Sequence, residues 1–154
     1  MRLFRPRIRR TSDGGFDFGI SDAERELVGG LLSQMQELLA MGDESLQRLF
    51  PPAYAADEER ESEYRRLMGD ELLSARFADL DVIEETLQDD RLQREQLEAW
   101  MRGLNGVRLV MGTRLDVTED MGAPDPDDPD AALIEVYHYL SGLVDELVGA
   151  LARD

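Results

Sequence analysis

The chain has 154 residues, 42% of them hydrophobic, and 34 acids against 17 bases give a formal net charge of −17. It has no cysteine and no lysine, every base being arginine. Disulfides, thiolate metal sites, cysteine nucleophiles and the lysine of a Walker phosphate loop are therefore excluded, and we read 1–154 as a single domain held by packing alone.

The predicted elements start with a β-hairpin over 2–20. Phe4, Pro6 and Ile8 alternate with Arg5, Arg7 and Arg9; Phe16, Phe18 and Ile20 then flank Asp17 and Gly19. Between the two runs lies Ser12-Asp13-Gly14-Gly15, a tight-turn signal. One face is apolar and one charged, so the hairpin should lie on a helical body, with Pro6 marking its first strand as an edge.

A helical body is expected over 21–115. Ser21 reads as an N-cap and Glu24 as its capping-box partner. The helix they open runs to about Met41 on a stripe of Leu27, Leu31, Met35 and Leu38 flanked by Val28, Leu32 and Leu39, and Gly42 is its stop signal. Leu46 to Phe50 suggests a helical turn before Pro51 and Pro52. Residues 57–68 read as a charged surface helix. Asp70 is placed to cap a further helix buried through Leu72, Leu73, Phe77 and Leu80, and the pattern leaves open whether Val82, Ile83 and Leu87 continue it. The strongest periodicity spans 91–115, through Leu97, Trp100, Met101, Leu104, Met111 and Leu115. Gly103, Gly106 and Gly112 interrupt it, so either a bend near Asn105-Gly106 or close helix packing is expected. An acidic, proline-rich loop over 116–130 precedes a closing helix, 131–152, capped by Asp130 and facing inward through Leu133, Val136, Tyr137, Leu140, Leu143, Val144, Leu147 and Leu151. The fold class is mainly α: a bundle of four to six helices with an N-terminal β-hairpin.

No stretch of 18 residues is free of charge, and the most apolar predicted helix carries Glu135, Asp145 and Glu146, so no membrane span is expected. The arginine-rich start lacks an apolar signal core, and the expected location is cytoplasmic.

Candidate chemistry is sparse. Glu135 and His138, at i and i+3, form half of a carboxylate–histidine metal motif, but His138 is the sole histidine, and a satisfied polar surface is the better account. No elbow or third group accompanies His138 and Ser141 as a nucleophile–base pair. Asp125, Asp127, Asp128 and Asp130 lack the glycine and glutamate of a calcium loop. Glu84-Glu85 and Asp89-Asp90 are adjacent pairs, and adjacent residues on a helix do not face each other. We therefore expect no enzyme, no cofactor and no metal. Arg5, Arg7 and Arg9 are candidate nucleic-acid contacts. Five arginines and no acid fill residues 1–10, so the remainder carries −22 against the chain's −17 and repels phosphate backbones.

Three blocks resemble an actinobacterial family of conserved proteins, the AosR-like family. The first is the hairpin leading into Glu24-Arg25-Glu26-Leu27 and Leu31-Leu32. The second runs from Trp100-Met101-Arg102-Gly103-Leu104-Asn105-Gly106-Val107-Arg108 to Arg114-Leu115-Asp116-Val117, similar to the signature W-L-x-x-L-N-D-x-R-L-x-L-G-x-R-L. The third is the closing helix, Tyr137 to Leu151. The all-arginine basicity also suits a GC-rich genome. The resemblance implies a cytoplasmic, non-enzymatic regulatory protein, some relatives being oxidative-stress transcriptional regulators that switch through cysteines. This chain has no thiol to oxidise. The expected mode is contact with a partner protein, with DNA binding by the hairpin or small-molecule binding as alternatives, and a homodimer compatible with the pattern. Trp100, Asn105, Arg108 and Arg114 are the candidate interaction or structural signature. Arg108 falls near the apolar stripe, where an internal acid would pair with it; Asn105 is expected to satisfy backbone groups at the bend.

Overall fold

The computed structural model describes residues 6–42, 49, 53–54, 56–115 and 127–152, apart from the side chains of Asp70 and Arg114. The protein is mainly α, with a small antiparallel sheet at the N-terminal end. Strands β1 (Ile8–Arg10) and β2 (Phe16–Phe18) form the predicted hairpin, pairing Ile8 with Phe18 and Arg10 with Phe16. At the turn Gly14 takes φ 89°, a backbone that L side chains rarely adopt. Period-2 alternation puts Ile8, Phe16 and Phe18 in the core and leaves Arg9 and Asp17 outside. A third strand, β3 (Arg91–Leu92), pairs with β2, so the order β1-β2-β3 leaves β1 at an edge, as Pro6 indicated. The periodic segment assigned to a helix from 91 thus begins as a strand; two residues are too few to show a period of their own.

Helix α1 (Asp22–Met41) carries the full capping box: Glu24 N–H donates to Ser21 Oγ at 3.1 Å, and Ser21 N–H to Glu24 Oε2 at 2.7 Å. Gly42 ends it at φ 67°, its N–H donating to the Leu38 carbonyl. Its deepest face is Arg25, Val28, Leu32, Met35 and Leu39; Leu27, Leu31 and Leu38 are half-buried beside it.

Helix α2 (Glu58–Thr86) is one helix of 29 residues where two were expected. Asp57 caps it by accepting from Arg60 N–H, and Asp70 lies in its interior rather than at a break. An interior glycine costs about 1 kcal/mol against alanine, too little for Gly69 to break a helix whose C-terminal half is anchored by Leu80 and Ile83 in the core. Val82 and Ile83 continue this helix; Leu87 follows it as the C-cap residue.

Helix α3 (Arg94–Leu115) is continuous through Asn105-Gly106. Gly103 and Gly106 serve close packing instead of a bend: a Cβ on Gly103 would lie 2.5 Å from Ile83 Cδ1, and one on Gly106 3.4 Å from both Arg76 and Leu49 side-chain atoms. Helix α4 (Ala131–Ala152) starts with Ile134 N–H donating to the Asp130 carbonyl at 2.9 Å. It buries Ile134, Leu140, Leu143, Val144, Leu147 and Ala150, whereas Leu133, expected inside, is 50% exposed. Its face is turned by one residue at that end.

The sheet's apolar face and helices α1 to α4 share one core around Trp100, Phe16, Phe18, Leu97, Leu104, Leu140 and Leu143. Phe18 meets Trp100 edge-on, ring centroids 4.6 Å apart, a geometry adding about 1 kcal/mol beyond area burial. Among the described residues no helix is long and apolar enough to cross a membrane. The expected turn at Leu46–Phe50 and most of the 116–130 loop lie outside the described residues.

Candidate functional site

The signature residues divide between two tasks. Trp100 is fully buried, and its indole N–H donates to Thr86 Oγ1 at 2.7 Å. Thr86 in turn donates to the Val82 carbonyl at 2.7 Å, so the one polar atom of the indole is satisfied inside the core. Trp100 therefore locks α3 to the end of α2. Asn105 and Arg108, one turn apart on α3, are only half-buried. Arg108 donates through Nε and a terminal nitrogen to Asn105 Oδ1, at 3.2 and 2.8 Å. The arginine thus pairs with an amide, not with the internal acid expected, and Asn105 accepts from a side chain instead of serving a bend. The side chain of Arg114 lies outside the described residues.

Asn105 also belongs to a groove between α2 and α3 of about 520 Å³, lined by Leu49, Leu72, Ala75, Arg76, Ala78, Asp79, Met101, Arg102 and Asn105. Its lining mixes apolar side chains with a few polar ones, the usual make-up of a recognition site. Asp79 is mostly buried and is gripped by Arg102, whose Nε lies 3.2 and 3.3 Å and a terminal nitrogen 3.0 Å from the carboxylate oxygens. This hydrogen bonding outweighs burial and raises the already high Arg102 pKa. Arg76 reaches across Gly106 and donates to the Leu49 carbonyl at 3.4 Å. Neither Arg76 nor Asp79 was singled out in the sequence. Both lie in the segment between the prolines and β3, where the apolar pattern is diffuse.

The other polar concentration holds the sheet to the helices. Arg25, 5% exposed, donates to the carbonyls of Leu87 at 2.5 Å, Asp89 at 3.0 Å and Phe18 at 3.4 Å, and to Asp90 Oδ1 at 3.2 Å. It ties α1, β2 and the turn joining α2 to β3. Sequence reasoning missed it, although the signal was present: position 25 lies three before Val28 and seven before Leu32, in phase with the buried stripe. Asp89 and Asp90 sit in that turn, not on a helix, and the Asp90 carbonyl accepts from Phe18 N–H at 2.8 Å.

Beside it, Arg7 lies 2.9 Å from Glu24 Oε1 and 2.9 Å from Glu146 Oε2, with its guanidinium 5.6 Å from the Tyr139 ring centroid. Tyr139 O–H donates to Glu24 Oε1 at 3.1 Å. Burial opposes the charge on Arg7, but the hydrogen bond to Glu146 and the two carboxylates win and raise its pKa. Burial first, then Glu24, holds the Tyr139 phenol protonated above its ordinary range. Of the three candidate nucleic-acid contacts, Arg7 is thus engaged with carboxylates from α1 and α4, Arg9 is exposed, and Arg5 lies outside the described residues. At the hairpin turn, Asp13 accepts from Thr11 Oγ1, from Gly15 N–H at 3.3 Å and from Arg91, which hold its carboxyl down at about 2.

Glu135 and His138 are exposed on α4, and no group of three or more candidate metal ligands comes together among the described residues. The family model for DUF2017, a domain of unknown function, matches residues 1–151. No curated protein and no solved structure matches the chain.

Proposed function

The chain belongs to the DUF2017 family, and on that premise we propose that it is a non-enzymatic, cytoplasmic regulatory protein that acts by binding a partner protein in the α2–α3 groove. The observation carrying this reading is the contrast in how polar side chains are used. Trp100, Arg25 and Arg7 spend their donors on partners within the fold. In the groove, Arg76 and Asn105 border an open cleft that Leu72 and Met101 also line. Binding energy comes mainly from apolar contact in such clefts and specificity from a few polar groups.

The resemblance to the AosR-like family supports a role in transcription or the stress response, carried by protein contacts. The missing cysteines separate this chain from thiol-switched relatives. The test is site-specific photo-crosslinking in the native cell. A benzophenone side chain replaces Ala78, an exposed groove position, or Ala132, exposed on α4 far along the chain. One discrete protein adduct from position 78 and none from 132 supports the reading. Equal adducts from both, or none from 78, contradict it.

A further inference from the structure

We infer that the α2–α3 groove recognises a carboxylate side chain of its partner, set beside an apolar one on an amphipathic segment, with Arg76 and the Asn105 amide as the donors. The inference rests on the groove reading above and specifies its occupant.

The Arg108 guanidinium can only donate, so the Asn105 atom it contacts with two nitrogens is the oxygen. The amide NH₂ of Asn105 is therefore directed away from Arg108, and it belongs to a residue that lines the groove. No hydrogen bond of that NH₂ is made among the described residues. Arg76 is a second donor: it carries five N–H bonds, and its one hydrogen bond among the described residues is to the neutral Leu49 carbonyl at 3.4 Å. The acid in the described lining, Asp79, is already held by the Arg102 fork. The groove thus offers unspent donors and a positive charge next to Leu72 and Met101.

A carboxylate satisfies both donors at once, and hydrogen bonds with an ionised partner are roughly twice as strong as neutral ones. A phosphate backbone or a polyacidic tract is disfavoured, because a chain of net charge −17 repels extended negative charge. A single carboxylate escapes most of that repulsion, since charges beyond about 8 Å are largely screened at physiological salt. Its neighbouring apolar side chain then packs against Leu72 and Met101, as in helix-in-groove recognition.

The probe is a displayed library of random 12-residue peptides, selected on the full chain and counter-selected on Ala75→Trp, which fills the groove from an exposed position. The selected peptides are expected to share one Asp or Glu next to an apolar residue. Replacing that acid by its amide should weaken binding about tenfold or more. Arg76→Gln should do the same, Arg76→Lys should recover only part of it because the fork is lost, and Arg108→Gln should have a smaller effect by freeing the Asn105 amide to turn. Combining the peptide amide with Arg76→Gln should cost little beyond either change alone. Thermal unfolding of each variant checks that it is folded, and Asn105→Ala supplies a second probe should Arg76→Gln unfold. Peptides without an acid, or an acid whose amide binds equally well, overturn the carboxylate inference and leave the groove as a docking site. Failure to select any peptide that Ala75→Trp excludes, together with no adduct from position 78, overturns both.

Discussion

The sheet end and the α2–α3 groove both rest on arginine, and they use it oppositely. At the sheet end Arg25 serves three carbonyls and a carboxylate, while Arg7 bridges Glu24 and Glu146. Each guanidinium there joins segments far apart in sequence, in a small sheet of two- and three-residue strands that would be marginal alone. In the groove Arg76 joins one carbonyl among the described residues, and Arg108, outside the lining, donates to Asn105. The guanidinium donors at the sheet end are spent within the fold, whereas among the described residues most of those on Arg76 are not, and on the proposed reading they serve a partner. An acidic, all-arginine chain makes the distinction visible, since lysine is not present to share either task.

Four changes test that contrast on the scaffold side, in order of expected size. Arg25→Leu strips donors from buried carbonyls and should destabilise the fold by about 3 kcal/mol, a fall in Tm on the order of 10 °C. Urea titration followed by circular dichroism measures it, and a loss within error would place Arg25 outside the scaffold. Gly103→Ala gains helix propensity but drives a methyl into Ile83, which is fully buried. The net loss should be about 1–2 kcal/mol, and Ile83→Val, which removes the clashing carbon, should restore most of it in a double-mutant cycle. Thr86→Val leaves the Trp100 N–H without its acceptor, costing about 1 kcal/mol, and should alter the Trp100 fluorescence. The smallest effect concerns pH. The Asp13 carboxyl is held at about 2 against an ordinary 3.8. Its contribution should be complete above the ordinary value and lost as pH falls through about 2, because the unfolded chain takes up the proton first. NMR titration of the Asp13 carboxyl carbon reads this directly; a midpoint near 3.8 would mean that Arg91 and the turn do not grip it.

Much of the fold was legible because it is written in short periods. Period 2 in Phe16-Asp17-Phe18 marked the strand, Ser21 and Glu24 marked the start of α1, and Gly42 its end. The Trp100 segment marked α3 and its place in the core. What stayed hidden was tertiary. Strand β3 is two residues long and exists only because β2 offers it a partner. The continuity of α2 through Gly69 depends on anchoring by Leu80 and Ile83, which local propensity does not record. The one-residue turn of α4 at Ile134 follows from what α4 packs against, since Leu133 and Ile134 are equally apolar. Of the site, Asn105 and Arg108 were marked, but their pairing with each other was not, because an internal acid looked the more natural partner. Arg76 and Asp79 acquire meaning only when α2 lies beside Gly106 and Arg102.

The most direct measurement compares Arg76→Gln with Arg25→Leu for both Tm and photo-crosslinked adduct from position 78. The account predicts that Arg76→Gln keeps the wild-type Tm within about 2–4 °C, the equivalent of 1 kcal/mol in a domain of this size, and loses most of the adduct. A large fall in Tm on Arg76→Gln with the adduct unchanged would contradict it, making the groove part of the scaffold after all.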